Sequence, residues 1–383
     1  MKKITVAFLC LIFFTAISYA DADLHKYWSY QEYLALHPEQ VEISKAFAER
    51  IKGPVESWSP LGKHTVKIAV IYPGLQASDY WRRSISSFEA RLREQKVPYI
   101  IHPFFTKPGH DIRLQEKLIN LTLKNKPDYL IFTLDVLRHE EIIKRLIAKG
   151  TPKVIVQNAT RPVRAWGDAQ PFLYVGFDHA FGSQLLADKF MQIFPKGTDY
   201  TIFCGTNGFV SAARGNTFKD TVAKLPNSKV TAVYHLDFDR ERARKATLHL
   251  ISRNKMPPFV YACSTDLALG VIDAAKEKNI LDKIAVNGWG GGSDELKALS
   301  KKELDFTVMR INDDNGVAMA EAIYLDLINK RNEIPQVFSG DIVLLDQSTP
   351  ADKIEKLKEH AFRYSNHWHS HLDQILRFVP YEQ

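Results

Sequence analysis

The fold is decided at residues 66–95, which read VKIAVIYPGLQASDYWRRSISSFEARLREQ. The first seven residues, Val66–Tyr72, form a mostly apolar run with little polar alternation, which is typical of a parallel strand buried on both faces. A turn with Pro73 and Gly74 follows, and Ser78–Gln95 has the apolar spacing of a helix. A buried strand followed directly by a helix predicts an α/β fold with parallel strands.

The same strand–helix unit repeats along the chain in two comparable series. Further strands are predicted at Val97–Phe105, Tyr129–Leu134, Lys153–Gln157, Phe172–Phe177, Tyr200–Cys204, Val230–His235, Phe259–Cys263, Ile284–Asn287, Phe306–Met309 and, as a last apolar piece, Ile342–Leu345. Helical spacing is found at Asp111–Lys124, Arg138–Lys149, Gly182–Phe194, Thr265–Lys278 and Gly316–Leu327. Two such series predict two lobes, each a parallel sheet flanked by helices. We place the boundary near Thr160–Pro171, where two prolines and a Gly-Asp pair interrupt the pattern.

The amino terminus has the three parts of a secretory signal. Lys2 and Lys3 precede an apolar run, Ile4–Ile17, and Ser18 and Ala20 are small residues three and one positions before a cleavage site. The alternative is an anchoring helix, but the run is shorter than the roughly 20 residues that cross a bilayer. We predict cleavage after Ala20 and an exported protein that is not inserted in the membrane.

Composition excludes several classes of protein. The 383 residues include 51 Lys+Arg and 44 Asp+Glu, with 45% hydrophobic residues, which is typical of a globular chain that can bury two cores. Loss of Lys2 and Lys3 with the signal lowers the formal charge from +7 to +5. Because no basic run interrupts the remaining chain, nucleic acid is not an expected partner.

Cysteine and histidine give no sign of a redox or metal site. Cys10 leaves with the signal, and Cys204 and Cys263 end predicted strands that the fold makes neighbours. A disulfide is the alternative in an oxidising compartment, but we predict two buried free thiols. The His-Trp-His-Ser-His run at 367–371 lies in a charged, aromatic segment, which we predict to be a solvated tail and not a metal site.

Candidate binding residues follow the predicted strands, since ligands of open α/β sheets bind outside the carboxyl ends of the strands. The polar and aromatic residues at these ends are Gln76, Ser78, Trp81, Asn158, Arg214, Thr265, Trp289 and Arg310. Amides, hydroxyls and flat aromatic faces suit a small polyhydroxylated ligand.

The two arginines carry most of this prediction. A guanidinium group cannot lose its proton in a protein, so Arg214 and Arg310 in one cleft indicate negative charge on the ligand. A neutral sugar would more naturally be met by aspartate. No obvious carboxylate belongs to the set, although Asp135 and Asp266 lie close by.

Simpler interpretations remain open for single residues. Ser264 and Thr265 have the residue types of a helix cap, and the sequence alone favours that role over ligand contact. Trp81 lies on a helix and is also compatible with the core, while Arg214 is compatible with a surface salt bridge. The joint placement of these residues at successive strand ends favours the binding site.

Signatures of catalysis are missing from the sequence. His139-Glu140 is followed by Ile143 where a metalloprotease needs a second histidine, and Ser293 occupies the third glycine position of a dinucleotide fingerprint. There is no nucleophile elbow and no Walker loop. We therefore predict that the protein is not an enzyme.

Longer motifs carry a resemblance to a known family. They are YWSYQE at 27–32, YPGLQASDYW at 72–81, YLIFTLD at 129–135, QPFLYVGFDH at 170–179, YACSTD at 261–266, NGWGGGS at 287–293, VMRINDD at 308–314 and AFRYS at 361–365. Together they span nearly the whole exported chain, which resembles the LuxP family of periplasmic autoinducer-2 receptors. That family belongs to the superfamily of ribose-binding-type periplasmic proteins. The resemblance implies a periplasmic binding protein fold of type I, with the ligand cleft between two lobes.

The resemblance also implies a ligand and a partner. The family binds autoinducer-2 as a furanosyl borate diester, a cyclic monoanion that would set its charge against Arg214 and Arg310. Hydrogen bonds to the ligand would come from Gln76, Ser78, Asn158 and Thr265. The walls of the cleft would be formed by Trp81 and Trp289. No separate cofactor is implied, since the boron arrives with the ligand. The implied partner is the periplasmic domain of LuxQ, a membrane sensor histidine kinase.

The resemblance further implies that late elements return to the first lobe, which gives several crossings between the lobes. The predicted division is a signal peptide at 1–20, an N-terminal extension at 21–64, an N-terminal lobe at 65–160 and 311–338, a C-terminal lobe at 161–310 and 339–350, and a C-terminal tail at 351–383.

Two other functions compete with the receptor. The first is a periplasmic sugar or autoinducer-2 carrier that delivers its ligand to an ABC transporter. The second is a secreted hydrolase with Asp135 or Asp266 as acid or base, which would need a second carboxylate within reach.

Overall fold

The computed structural model describes residues 23–55 and 64–368. The predicted signal peptide, its cleavage site after Ala20 and positions 369–383 lie outside these described residues. Part of the predicted linker near Pro54–Gly62 also lies outside them.

The described ranges contain strands at every predicted position. The strands are β1 (Val66–Tyr72), β2 (Tyr99–Phe105), β3 (Tyr129–Thr133), β4 (Lys153–Gln157), β5 (Leu173–Gly176), β6 (Asp199–Cys204), β7 (Lys229–His235), β8 (Phe259–Ala262), β9 (Ala285–Val286), β10 (Phe306–Arg310), β11 (Val337–Ser339) and β12 (Ile342–Asp346). The sequence missed β11 because three residues next to a proline and a glycine give no periodic signal.

Helices fill most of the intervals between these strands. They are α1 (Tyr30–Leu36), α2 (Glu39–Lys52), α3 (Tyr80–Glu94), α4 (Ile112–Lys124), α5 (Leu137–Lys149), α6 (His179–Ile193), α7 (Phe209–Val222), α8 (Arg240–Ser252), α9 (Thr265–Glu277), α10 (Ser293–Ser300), α11 (Asp313–Leu327) and α12 (Ala351–Ala361). The sequence missed α7 because most of its faces are buried, which removes the apolar–polar contrast of an amphipathic helix.

The N-terminal lobe is built on a six-stranded sheet in the order β11-β5-β4-β3-β1-β2, in which every neighbouring pair is parallel. The predicted lobe boundary at 160/161 is wrong, because β5 pairs with β4 from Ile155–Leu173 to Gln157–Val175. The interrupting segment between these strands contains a short 3-10 turn, Arg164–Trp166, and packs on the same lobe with Ala159, Val163 and Trp166 buried. The chain therefore leaves this lobe after β5.

The C-terminal lobe has four parallel strands in the order β7-β6-β8-β9. Single bridges from Asn287 to Phe306 and from Gly290 to Met309 extend the sheet to β10, which pairs antiparallel with β12. The fold is thus two lobes, each with a mainly parallel sheet and flanking helices, as the sequence predicts.

Three crossings connect the lobes and lie side by side. They follow β5, follow β10, and separate β11 from β12. The amide of Gly340 donates to the carbonyl of Gly176 (2.9 Å), and the amide of Ile311 donates to the carbonyl of Asp341 (3.0 Å). The segment between β11 and β12 is therefore hydrogen-bonded to each of the other two crossing segments.

Close packing of α3 against α11 holds the N-terminal lobe together on one face of its sheet. A Cβ atom at Gly316 of α11 would lie 2.5 Å from the carbonyl oxygen of Ser84 and would also overlap the hydroxyl of Ser87. No side chain larger than hydrogen fits at this crossing without a shift of the backbone.

We expect Gly316→Ala to lower the free energy of unfolding by about 1–3 kcal/mol through overpacking. The direction of the change in stability is informative. At a helix position with free space, replacing glycine by alanine raises the free energy of unfolding by roughly 0.5–1 kcal/mol. Urea unfolding measures the effect. Gly53→Ala, where the nearest atom to the new Cβ is at 3.4 Å, serves as the control and is expected to change stability little. A Gly316→Ala protein as stable as wild type would contradict the tight packing.

The predicted solvated tail is wrong for residues 361–365, whereas Asn366 and His367 are exposed as predicted. Ala361, Phe362 and Ser365 are buried, and the amides of Tyr364 and Ser365 donate to the Asp313 carboxylate at 2.7 and 2.9 Å. This segment packs on the molecule because its apolar and polar groups both find partners that the sequence does not reveal.

Neither sulfur nor metal chemistry marks the described part of the chain. Cys204 and Cys263 are buried and unbonded with their Sγ atoms 3.7 Å apart, so the prediction of two free thiols is confirmed. No group of three or more His, Cys, Asp or Glu residues there is arranged to hold a metal ion. No helix within 23–55 or 64–368 is long and apolar enough to cross a membrane.

Candidate functional site

The carboxyl ends of the two sheets face each other across a cleft that all eight predicted residues line. The N-terminal lobe contributes Gln76, Ser78, Trp81 and Asn158, and the C-terminal lobe contributes Arg214, Thr265, Trp289 and Arg310. The cleft encloses about 450 Å³, including the space that opens to solvent at its mouth. The space that the centre of a water-sized molecule can occupy is about 40 Å³, so the cleft between the lobes is narrow. That these residues bind a ligand remains a prediction.

The loop after β1 is fixed by the side chain of Arg82. Its guanidinium donates to the carbonyls of Gly74, Gln76, Ala77 and Ser78 at 2.9–3.1 Å. Four bonds from one planar group leave this loop, residues 73–79, little freedom to move independently of α3. Gln76 and Ser78 are therefore presented to the cleft on a rigid support.

Asp266 of the C-terminal lobe reaches across to the same loop. Its carboxylate accepts the amide hydrogens of Ala77 (2.7 Å) and Ser78 (3.1 Å). Burial raises the pKa of Asp266 to about 6, and the two amides and Arg82 act in the opposite direction. These bonds join the two lobes across the cleft.

A second contact between the lobes involves Asp79 at the start of α3. Its carboxylate accepts from the amide (3.2 Å) and the hydroxyl (2.8 Å) of Ser293 in α10. The guanidinium of Arg83 bonds both Asp79 (2.7 Å) and Ser293 (2.9 Å). A methyl group at Gly292 would overlap the Asp79 carboxylate, so the two lobes are closely packed at this contact.

Arg214 is buried and forms no ion pair with a described carboxylate. One Nη donates to the carbonyl of Cys263 (2.7 Å), and the guanidinium carbon lies 3.6 Å from the ring centroid of Trp289. Burial lowers the pKa of Arg214 to about 9, and the charge of Arg310 adds to the shift. The simpler interpretation of Arg214 as a surface salt bridge is therefore wrong.

Arg310 ends β10 and is also buried. Its guanidinium carbon lies 4.0 Å from the ring centroid of Tyr80, and its Nε–H is buried without a hydrogen-bond acceptor. Burial lowers the pKa of this group as well. Arg214 and Arg310 are thus two buried cations at the cleft, and neither forms an ion pair with a carboxylate of the described residues.

Two acceptor groups in the cleft have no partner among the described residues. They are the Oδ1 atom of Asn158 and the hydroxyl of Thr265, both buried. Asn158 has a backbone φ of 67°, in the left-handed region that asparagine tolerates better than most residues. Ser264, and not Thr265, caps α9 by accepting from the amide of Leu267 (3.4 Å), which leaves the Thr265 hydroxyl to the cleft.

Aromatic side chains form the walls of the cleft. Trp81 packs on Tyr72 and Tyr80 with ring centroids 4.7 and 4.8 Å apart, so it belongs to the core and lines the cleft as well. The Nε1–H of Trp289 donates to the hydroxyl of Ser183 (3.1 Å). This bond orients the indole ring beneath Arg214.

The sequence did not select seven further residues that line the cleft. They are Pro73, Tyr80, Pro108, Asp135, Val210, Phe238 and Ser264. Asp135 follows β3, so the strand-end rule could have selected it. Burial raises the pKa of Asp135 to about 6, and a hydrogen bond from Thr206 and the charge of Arg214 act against this shift.

Asp135 is the one carboxylate that the described residues place in the cleft lining. Asp266 is occupied by the amides of the facing loop and does not line the cleft. A hydrolase with two cooperating carboxylates therefore lacks its second group at this site.

Comparisons with known proteins agree with this architecture. A family model described as a periplasmic binding protein domain matches residues 68–331. Among similar solved structures is an ABC transporter solute-binding protein from Bacillus halodurans with bound myo-inositol, at 15% identity and a TM-score of 0.65 over 78% of this chain and 99% of that chain. Another is GanP, a glucose-galactose binding protein from Geobacillus stearothermophilus, at 16% identity and a TM-score of 0.66 over 76% and 100%. A third, from Actinobacillus succinogenes with bound D-allose, has 18% identity and a TM-score of 0.63 over 76% and 100%. At these identities the likeness shows the fold.

Proposed function

Because the chain belongs to the family of periplasmic binding protein domains, we propose that it is a periplasmic receptor that binds autoinducer-2 as a furanosyl borate diester between its lobes. The receptor would pass its open or closed state to the periplasmic domain of the sensor kinase LuxQ. The motifs shared with the LuxP family support this ligand and this partner. Export would follow cleavage of the signal peptide after Ala20.

One observation carries the proposal. Arg214 and Arg310 are buried in a closed cleft without a bonded carboxylate, and both lie close to Trp289. An uncompensated cation in a site of low polarity raises the free energy of the empty protein, and an anionic ligand would remove that cost. A borate diester is a compact cyclic monoanion that also offers hydroxyl groups.

The other cleft residues suit the neutral part of such a ligand. The free acceptors on Asn158 and Thr265 can receive hydroxyl hydrogens, and Gln76 and Ser78 can bond ring and diester oxygens. Trp81 and Trp289 cover the flat faces. The protein would need no cofactor of its own, since the boron comes with the ligand.

A second candidate function is a carrier of a sugar or of autoinducer-2 for an ABC transporter. The similar structures favour it, because several are solute-binding proteins of transporters with a bound sugar, D-allose or D-arabinose. Asp135 also favours it, since a carboxylate in the cleft accepts from sugar hydroxyls. The two candidates share the fold and differ in the charge of the ligand.

The deciding experiment is calorimetric titration of the purified exported protein with the autoinducer-2 precursor, with and without borate. We expect tight binding that requires borate, because only the diester carries the charge that Arg214 and Arg310 would meet. Myo-inositol and ribose are titrated as neutral controls and are expected to bind weakly.

Equal binding with and without borate would contradict the anion site. Tight binding of a neutral sugar would move the function to the carrier and would require another role for the two arginines.

A further inference from the structure

A buried histidine contacts one predicted binding residue of each lobe. His179 is the first residue of α6, directly after the first crossing, and is 2% exposed. Its Nδ1 atom lies 3.3 Å from Nε of Arg214, and its Nε2 atom lies 2.9 Å from the carbonyl oxygen of Asn158. It does not line the cleft.

These two contacts determine the protonation of the ring. The Nε–H of arginine can only donate, so Nδ1 of His179 must offer its lone pair. A carbonyl oxygen can only accept, so Nε2 of His179 must carry the hydrogen. The neutral tautomer with hydrogen on Nε2 satisfies both contacts, whereas the imidazolium ion would set a hydrogen against that of Arg214.

The surroundings of the ring favour this neutral form. Burial lowers the pKa of His179 well below its ordinary value, and the charges of Arg214, Arg310 and Arg161 act in the same direction, whereas the hydrogen bond to the Asn158 carbonyl acts against them. Trp289 and Phe209 pack on the ring with centroids 5.3 and 6.0 Å away. No carboxylate among the described residues is within ion-pair distance of the ring.

Without this contact the Arg214 guanidinium would keep one hydrogen bond within the described part of the chain, the bond to the carbonyl of Cys263. A guanidinium held by a single bond and one aromatic face can rotate, whereas a second bond at Nε fixes its plane. The bond to the Asn158 carbonyl likewise braces a residue in the left-handed backbone region.

We propose that His179 is a positioning residue that orients Arg214 and Asn158 together for the ligand. This inference rests on the proposed function, because it assigns His179 to the same cleft. His179 thereby couples the orientation of the Arg214 guanidinium in the C-terminal lobe to the position of the Asn158 backbone in the N-terminal lobe.

The test compares two variants of the full exported protein. In His179→Gln the carboxamide offers one acceptor and one donor, so it can restore both contacts. In His179→Phe the ring packs on Trp289 but makes neither bond. We expect His179→Phe to weaken binding of the autoinducer-2 precursor with borate about tenfold and His179→Gln to remain within about threefold of wild type.

A matched control separates positioning from general loss of stability. Thr247→Val also removes a buried hydrogen bond, from the Thr247 hydroxyl to the carbonyl of Ala243 (2.9 Å) in α8, away from the cleft. We expect His179→Phe and Thr247→Val both to lower the urea midpoint, and only the former to change affinity. Wild-type affinity in His179→Phe would overturn the proposal.

Nitrogen NMR of the ligand-free protein provides a readout that does not depend on the ligand. We expect the shifts of His179 to show hydrogen on Nε2 and none on Nδ1, unchanged from about pH 5 to pH 8, where a free histidine titrates. A hydrogen on Nδ1 would overturn the proposal. If wild type binds neither the borate diester nor a sugar, the proposed function fails, and the tautomer still decides whether His179 holds Arg214.

Discussion

Replacing Arg310 by methionine is expected to weaken binding of the borate diester by about 3–4 kcal/mol, or roughly 100- to 1,000-fold. The same change is expected to raise the free energy of unfolding of the empty protein. Arg310 is buried with its Nε–H lacking an acceptor, so its charge destabilises the ligand-free closed form. Methionine keeps most of the volume and removes that charge. A loss of affinity together with a gain in the free energy of unfolding would show that Arg310 serves ligand binding at the expense of stability.

Arg214→Met should weaken binding to a similar extent but should not stabilise the empty protein. Unlike Arg310, Arg214 donates to the Cys263 carbonyl and to His179, and both acceptors would lose their partner. Calorimetry and urea unfolding measure both quantities. Arg164→Met, which removes an arginine that is paired with Glu32 and does not line the cleft, is the control and should leave affinity unchanged. Wild-type affinity in both cleft variants would refute the anion site.

The second large effect is expected from Asp266→Ala, about 100-fold in affinity. Closure buries the amides of Ala77 and Ser78 against this carboxylate, and without it each amide would be left unpaired at about 1–3 kcal/mol. Relief of the buried carboxylate offsets part of that cost. Because Asp266 does not line the cleft, the loss would come from closure and not from ligand contact.

Small-angle scattering with and without ligand measures the degree of closure directly. We expect Asp266→Ala to have a larger radius of gyration than wild type in the absence of ligand. Asp273→Asn, in the same helix and paired only with the exposed Arg240, is the matched control. Gly292→Val should open the protein by a different route, since its side chain would collide with Asp79 across the gap. If both Asp266→Ala and Gly292→Val remained as compact as wild type, closure would not depend on these contacts.

The sequence predicted the cleft residues well because their placement follows from the geometry of parallel sheets. Asn158 follows β4 in one sheet and Arg310 ends β10 beside the other, and the carboxyl ends of the strands of both lobes face the cleft. Asp135, two residues after β3, falls under the same rule and also lines the cleft.

What the sequence could not predict depends on contacts between distant segments. The strand β5 joins β4 through hydrogen bonds that no local pattern announces, so the prolines before it suggested a boundary that does not exist. His179 acquires its role only when α6 comes to lie beneath Arg214. The burial of Phe362 against the Arg83 guanidinium, 3.8 Å from its ring centroid, likewise requires the folded lobes.

The three hydrogen-bonded crossings have a mechanical consequence. The middle crossing is hydrogen-bonded to both outer crossings, through Gly340–Gly176 and Ile311–Asp341. Because these bonds oppose sliding of one crossing past another, we expect the lobes to move relative to each other by hinge bending. Ligand binding would then be expressed mainly as a change in the angle between the lobes.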